Sequence, residues 1–310
     1  MITVKGITRR RFMMASSFLG LVLGGRPIHA EATVDYTGVA AGHTRIAVSG
    51  ARLPAYFAKP TCGTDYPVII VIEGIFGIRP FIKDACRQLA GLGYLAVAPD
   101  LYARLADLSR MGNPSDIMRR VILKAPDAVL LSDLGATIDW ATAHSGDRTR
   151  IGTIGFGRGG RDAWLFAEHD ARLRAAVAFY GPVSGPTNAV QPHTPIHYAK
   201  NLKCPLLGLY GGADPYIPQA DVFAAQARAH DADKTVEIVY FPDAGPEFYD
   251  SSGPGYNRAD AREAWSRMIN WLRQSGVDRS KRVGRDGAQT RHQGVIEGGA
   301  DRPHRRVISW

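Results

Sequence analysis

One segment of the chain has the spacing of covalent catalysis: Gly155-Phe156-Gly157-Arg158-Gly159-Gly160. It follows an apolar run, Ile151 to Ile154, and opens a helical stretch, Arg161 to Ala167. Gly-x-nucleophile-x-Gly at a strand-to-helix turn is a nucleophile elbow, whose glycines let the chain turn sharply and lift the middle side chain into a site. The chemistry of such a site is acyl transfer, in which a base activates the nucleophile and an acid orients the base. Here the middle residue is Gly157, so there is no side chain to lift. The sequence therefore predicts that no carbonyl is attacked from this position.

The elements around the elbow alternate. Val68 to Ile72 is a continuous β-branched run, the mark of a strand covered on both faces. Helical spacing from Arg79 to Leu92 leads to a short strand at 94–98. A polar stretch at 103–120 precedes a helix at about 127–144. Beyond the elbow come a strand at 175–180, a Pro-rich loop at 181–200 and a strand at 205–210. A helix near 219–230, a strand at 235–241 and a last helix at 258–274 complete the pattern, and residues 44–58 read as an opening hairpin. Strands alternating with helices predict right-handed βαβ units, hence an α/β fold with a mostly parallel central sheet and helices on both faces.

The formal charge of +9 over 310 residues resides in the ends. Residues 1–32 hold Lys5, Arg9, Arg10, Arg11 and Arg26 against Glu31 alone, and 276–310 hold eight basic residues against four acidic ones. The body between is close to neutral, so the basic balance does not point to a nucleic-acid partner. Thr8-Arg9-Arg10-Arg11-Phe12 resembles the twin-arginine export pattern, followed by an apolar run to Leu23 and a small-x-small cleavage site, Ala30-Glu31-Ala32. The run is short for a membrane span. Residues 1–32 are thus expected to be a signal peptide, leaving a periplasmic or secreted protein with no stable membrane span. The other reading is an uncleaved leader or anchor.

From residue 276 the apolar periodicity is lost, and residues 276–310 are expected to be a disordered basic tail. Its role stays open between a solvated end, an interaction segment and a gene end without selected function. Cys62, Cys86 and Cys204 have neither metal-ligand nor redox spacing, so no metal and no cofactor is expected. One disulfide is compatible with export, and the sequence does not choose the pair.

Several segments in order carry a resemblance over about residues 50–275. They are Ile75-Phe76-Gly77, Pro99-Asp100-Leu101-Tyr102-Ala103-Arg104, the elbow with Arg161, Tyr180-Gly181, Gly208 to Asp214 with Ile217-Pro218, Pro242-Asp243-Ala244, and Trp265. On these the chain resembles the dienelactone hydrolase (carboxymethylenebutenolidase-like) family of the α/β-hydrolase superfamily. The resemblance implies a domain at 33–275 with that fold and, as the family reaction, hydrolysis of carboxylic esters and lactones.

The family's site is a Cys–His–Asp triad with a Glu that controls the thiol. Carried over by position, Asp214 matches the Asp, whereas Gly157, Pro246 and Gly74 fall on the Cys, the His and the Glu. Glu73 lies one residue from the Glu position, but adjacent strand residues face opposite sides. A proline accepts no proton and has no N–H. The resemblance further places an oxyanion hole at the backbone N–H groups of Arg158 and Ile75, and a carboxylate-holding arginine at Arg104.

Two functions from different classes are expected. The first is a catalytically silent homologue with Arg104, Arg158, Glu73 and the helix end forming a pocket for a small carboxylate or ester. The second is a working ester or lactone hydrolase using relocated groups, for which Glu247 paired with Asp214, His193 and His197 are the candidates. In a blander reading of the arginines, Arg158 is solvated and Arg104 pairs with an acid.

Overall fold

The computed structural model describes residues 36–278. The expected leader at 1–32 and the tail from 279 onward lie outside the described residues.

Eight strands form one sheet: β1 (Val39–Val48), β2 (Ala51–Pro60), β3 (Tyr66–Ile72), β4 (Leu95–Pro99), β5 (Gly146–Phe156), β6 (Leu173–Phe179), β7 (Leu206–Gly211) and β8 (Val236–Phe241). The order across it is β1-β2-β4-β3-β5-β6-β7-β8. The opening hairpin is longer than the sequence suggests, and its β2 pairs antiparallel with β4. Every pairing from β4 through β3 to β8 is parallel. The apolar run in β3 behaves as expected, with all seven residues buried.

Among the described residues six α-helices lie between these strands and a seventh follows β8: α1 (Pro80–Gly91), α2 (Pro114–Arg120), α3 (Asp127–Ala143), α4 (Arg158–His169), α5 (Pro195–Tyr198), α6 (Gln219–His230) and α7 (Arg258–Gln274). The chain moves toward the β1 edge through α1 and toward the β8 edge through α3, α4 and α6. Right-handed crossovers place helices of opposite travel on opposite faces. Helix α4 is the central one, with every residue from Gly159 to Glu168 buried. Its Trp164 donates from Nε1 to Tyr210 Oη at 3.2 Å, and burial of each large apolar side chain here contributes about 2 kcal/mol.

Close backbone approach fixes how α4 leaves β5. A Cβ on Gly155 would stand 1.9 Å from the Gly159 carbonyl oxygen, and one on Gly159 would stand 2.4 Å from that of Ile72. No larger residue fits either position without separating the helix from the sheet.

The folded body runs past the boundary read from the sequence. Val277 is fully buried, and its carbonyl accepts from Tyr94 Oη at 3.2 Å. Residues 276–278 therefore pack with the domain, Val277 joining Leu272 of α7 and Ile69 of β3 beside Gly152.

Candidate active site

At the end of β5, Gly157 adopts φ 56° and ψ −116° and caps α4. Its N–H donates to the Phe179 carbonyl at 3.0 Å, and its own carbonyl accepts from Gly160 and Arg161. This left-handed geometry strains any residue with a side chain by about 1–3 kcal/mol. A Cβ added at Gly157 would meet nothing closer than the Tyr180 ring at 3.8 Å. The elbow is fully formed, and the place of its side chain is open space.

That space belongs to a cavity of about 440 Å³ at the carboxyl ends of the parallel strands, where open α/β sheets place their ligands. Gly74, Ile75, Gly157, Arg158, Asp214 and Pro246 all line it, so the structure gathers most of the predicted positions in one site. At the start of α4 the first N–H groups have no intrahelical acceptor, and the Arg158 and Ile75 N–H groups have no acceptor among the described backbone bonds outside helices and strands. Asp214 accepts from the Tyr216 N–H at 2.8 Å, and burial raises its pKa against that bond.

Two predicted positions fall elsewhere. Arg104 is not in the cavity: it forms a two-nitrogen pair with Asp133 of α3, one bond at 2.9 Å, and reaches the Ser49 carbonyl at 3.4 Å. The buried Asp133 outcompetes a ligand for it, so Arg104 serves the fold. Glu73 is fully buried beneath the turn Gly74–Gly77, and its Oε1 accepts from the Leu101 N–H at 3.0 Å. It ties β3 to the segment after β4 and does not reach ligand. Burial first, then the nearby Asp100 charge, raise its pKa well above the usual carboxylate range.

Arg158 lines the cavity with its side chain only 8% exposed. Its contacts with Asp127 and Asp162 are both long, at 3.4 Å, and its Nε is sealed from solvent without a hydrogen bond. The short bonds to those acids belong to Arg161, at 2.8–2.9 Å. Burial pulls the Arg161 pKa down, but the bonds and charges of Asp127 and Asp162 outweigh it and raise it.

Sequence reasoning missed several lining residues, among them Arg79, Asp250 and Tyr180. Arg79 and Asp250 form an ion pair at 3.1 Å. Tyr180, at φ 39°, is 4% exposed, and its hydroxyl has no hydrogen-bond partner among the described residues. Only the Tyr180-Gly181 pair hinted at this, and nothing in it announced a lining role. Glu247, weighed in the sequence as a partner for Asp214, does line the cavity at φ 55°. Burial and then the Asp250 charge raise its pKa, Arg79 lowers it, and Asp214 adds to the rise. His193 and His197 lie elsewhere: the His193 carbonyl accepts from Arg161, and His197 closes a capping box with Thr194.

A mostly parallel eight-stranded sheet with a strand–elbow–helix unit at its carboxyl end defines an α/β-hydrolase. The profile of the dienelactone hydrolase family matches residues 53–276. A Methylorubrum extorquens protein named "Putative carboxymethylenebutenolidase" is 40% identical over 274 residues, covering 87% of this chain and 94% of its own. A protein of the same name from Yersinia pestis is 41% identical over 241 residues, covering 77% of this chain and 90% of its own. A solved Klebsiella pneumoniae structure carrying the dienelactone hydrolase name superposes with TM-score 0.75 at 39% identity, covering 76% of this chain and 99% of that one. The chain belongs to the dienelactone hydrolase family, whose reaction is hydrolysis of esters and lactones.

Proposed function

We propose that this chain is an exported member of the family that no longer turns over esters or lactones and instead holds a small carboxylate or ester. The observation that carries the reading is Gly157, a formed elbow with open space where a nucleophile would stand. Pro246 at the base position supports it, since a proline cannot relay a proton. Among the described residues the cavity lining contains no Ser, Cys or His. What supports binding is Arg158, whose buried guanidinium is only loosely held, beside the N-terminal end of α4. A ligand carboxylate or carbonyl oxygen would take the N–H groups of Arg158 and Ile75. Export rests on the twin-arginine-like leader.

A second reading, hydrolysis by a directly activated water, draws support from Glu247 in the cavity near Asp214. One experiment separates the two. The natural chain and its variant Gly74→Glu, Gly157→Cys, Pro246→His are compared on short activated esters and a dienelactone. The expected result is turnover at the buffer rate for the natural chain and measurable turnover for the variant. Turnover by the natural chain that is lost in Glu247→Gln would establish the second reading.

A further inference from the structure

The charges lining the cavity do not balance. Arg79 is paired with Asp250 at 3.1 Å. Arg158 shares Asp127 and Asp162 with Arg161, two cations against two anions. Asp214 and Glu247 remain, and neither has an ion-pair partner among the described residues. A half-buried carboxylate without a counter-ion is costly, and two in one cavity raise the cost further.

A second observation lies on the same wall. Tyr180 is 4% exposed, and its hydroxyl is sealed from solvent without a partner. Its ring edge flanks the vacated side-chain position at 3.8 Å from a Cβ on Gly157, and the carboxylates of Asp250 and Glu247 act on the hydroxyl. A buried hydroxyl left unbonded calls for a missing hydrogen-bonding group. At the mouth, Tyr216 is 79% exposed directly after the Asp214 turn, which leaves an aromatic face open to a cation. At the end of β5, two strands from β7 and the Asp214 turn, stand the first N–H groups of α4 and Arg158, whose Nε lies 3.4 Å from Asp162 without a hydrogen bond.

We infer that the cavity takes a small zwitterion, a molecule with a carboxylate at one end and an ammonium at the other. This rests on the carboxylate-binding reading above and names the class of ligand. The carboxylate meets Arg158 and the N-terminal end of α4. The ammonium lies against Asp214 and Glu247, within reach of the Tyr180 hydroxyl. Loss of the nucleophile side chain leaves the room between the two ends. A simple carboxylate fills one end only and leaves the two acids uncompensated.

The test is isothermal titration of the full chain, at low ionic strength, with short ω-amino acids (glycine to 4-aminobutyrate) and the unsubstituted carboxylates of equal length. The best amino acid is expected to bind at least about tenfold tighter than its carboxylate, the gain of one compensated buried charge. In Asp214→Asn and Glu247→Gln that preference should fall toward parity while the plain carboxylate binds as well or better. Arg158→Gln should weaken both. A plain carboxylate binding as tightly as every amino acid overturns the inference and leaves the carboxylate reading standing. If neither series binds, both fall, and an ammonium such as choline binding alone would mean a cation site. Melting curves of each variant, matched to the parent, guard against mistaking misfolding for lost binding.

Discussion

Arg161 grips Asp127 with both terminal guanidinium nitrogens, at 2.9 and 2.8 Å, and leaves Arg158 only a 3.4 Å contact with the same carboxylate. The two arginines are three residues apart on α4, yet only Arg158 also lines the cavity, and its hold on the shared acids is the longer one. Removing Arg161 would strand two buried acids, and breaking a buried pair costs about 3–5 kcal/mol. Arg161→Met is therefore expected to lower stability by about 3 kcal/mol in urea unfolding, and Arg158→Gln by about 1 kcal/mol. An equal loss in both would mean that Arg158 is held as firmly as Arg161.

Gly157 and Gly155 should respond unequally to enlargement. A side chain at 157 has room and pays only for its backbone, so Gly157→Ala is expected to cost about 1–3 kcal/mol and leave a folded protein. Gly155→Ala drives a methyl into the Gly159 carbonyl and should cost more than about 3 kcal/mol or prevent folding. Circular dichroism melts of the two variants compare them directly.

Stability should fall as pH rises through mildly acidic values. Burial first, then the Asp107 charge, raise the Asp100 pKa to about 6, and Glu73 is raised well above its usual range. A carboxyl that holds its proton more tightly when folded favours the folded state at low pH, and that contribution is lost as pH passes the raised value. Melting temperature is expected to decline from pH about 4 to about 6, between the free and the raised value of Asp100, with a smaller decline in Asp100→Asn. A rising profile whose slope is unchanged in that variant would contradict it.

The thiols offer a simpler check. All three cysteines are free; Cys62 is exposed, whereas Cys86 and Cys204 are buried. Burial raises both inner thiols, Cys204 to about 12, so neither forms a thiolate at neutral pH. A thiol reagent should titrate one group in the native chain and all three after unfolding. Three fast-reacting thiols in the native chain would refute that packing.

Much of the fold was legible because its signals are local. The β-branched run of β3, the helical spacing of α1 and the last helix at 258–274 each come from neighbouring residues. The elbow was legible for the same reason, being five consecutive residues. What the sequence hid was pairing across the chain. Arg104 looked like a ligand residue until Asp133, 29 positions away, took it. Glu73 is held by the Leu101 N–H, 28 positions away just after β4. The burial of Val277 is not legible either, because it sits inside a stretch of polar composition.

The glycine contacts at the elbow carry a consequence for how such a protein changes over time. Helix α4 is seated by main-chain atoms of Gly155, Gly159, Gly160 and Gly181 meeting at distances no Cβ tolerates. The side chain at 157 takes no part in that seating. Changing the residue at 157 therefore leaves the joint intact, and the needs of a stable fold by themselves preserve the shape of the site.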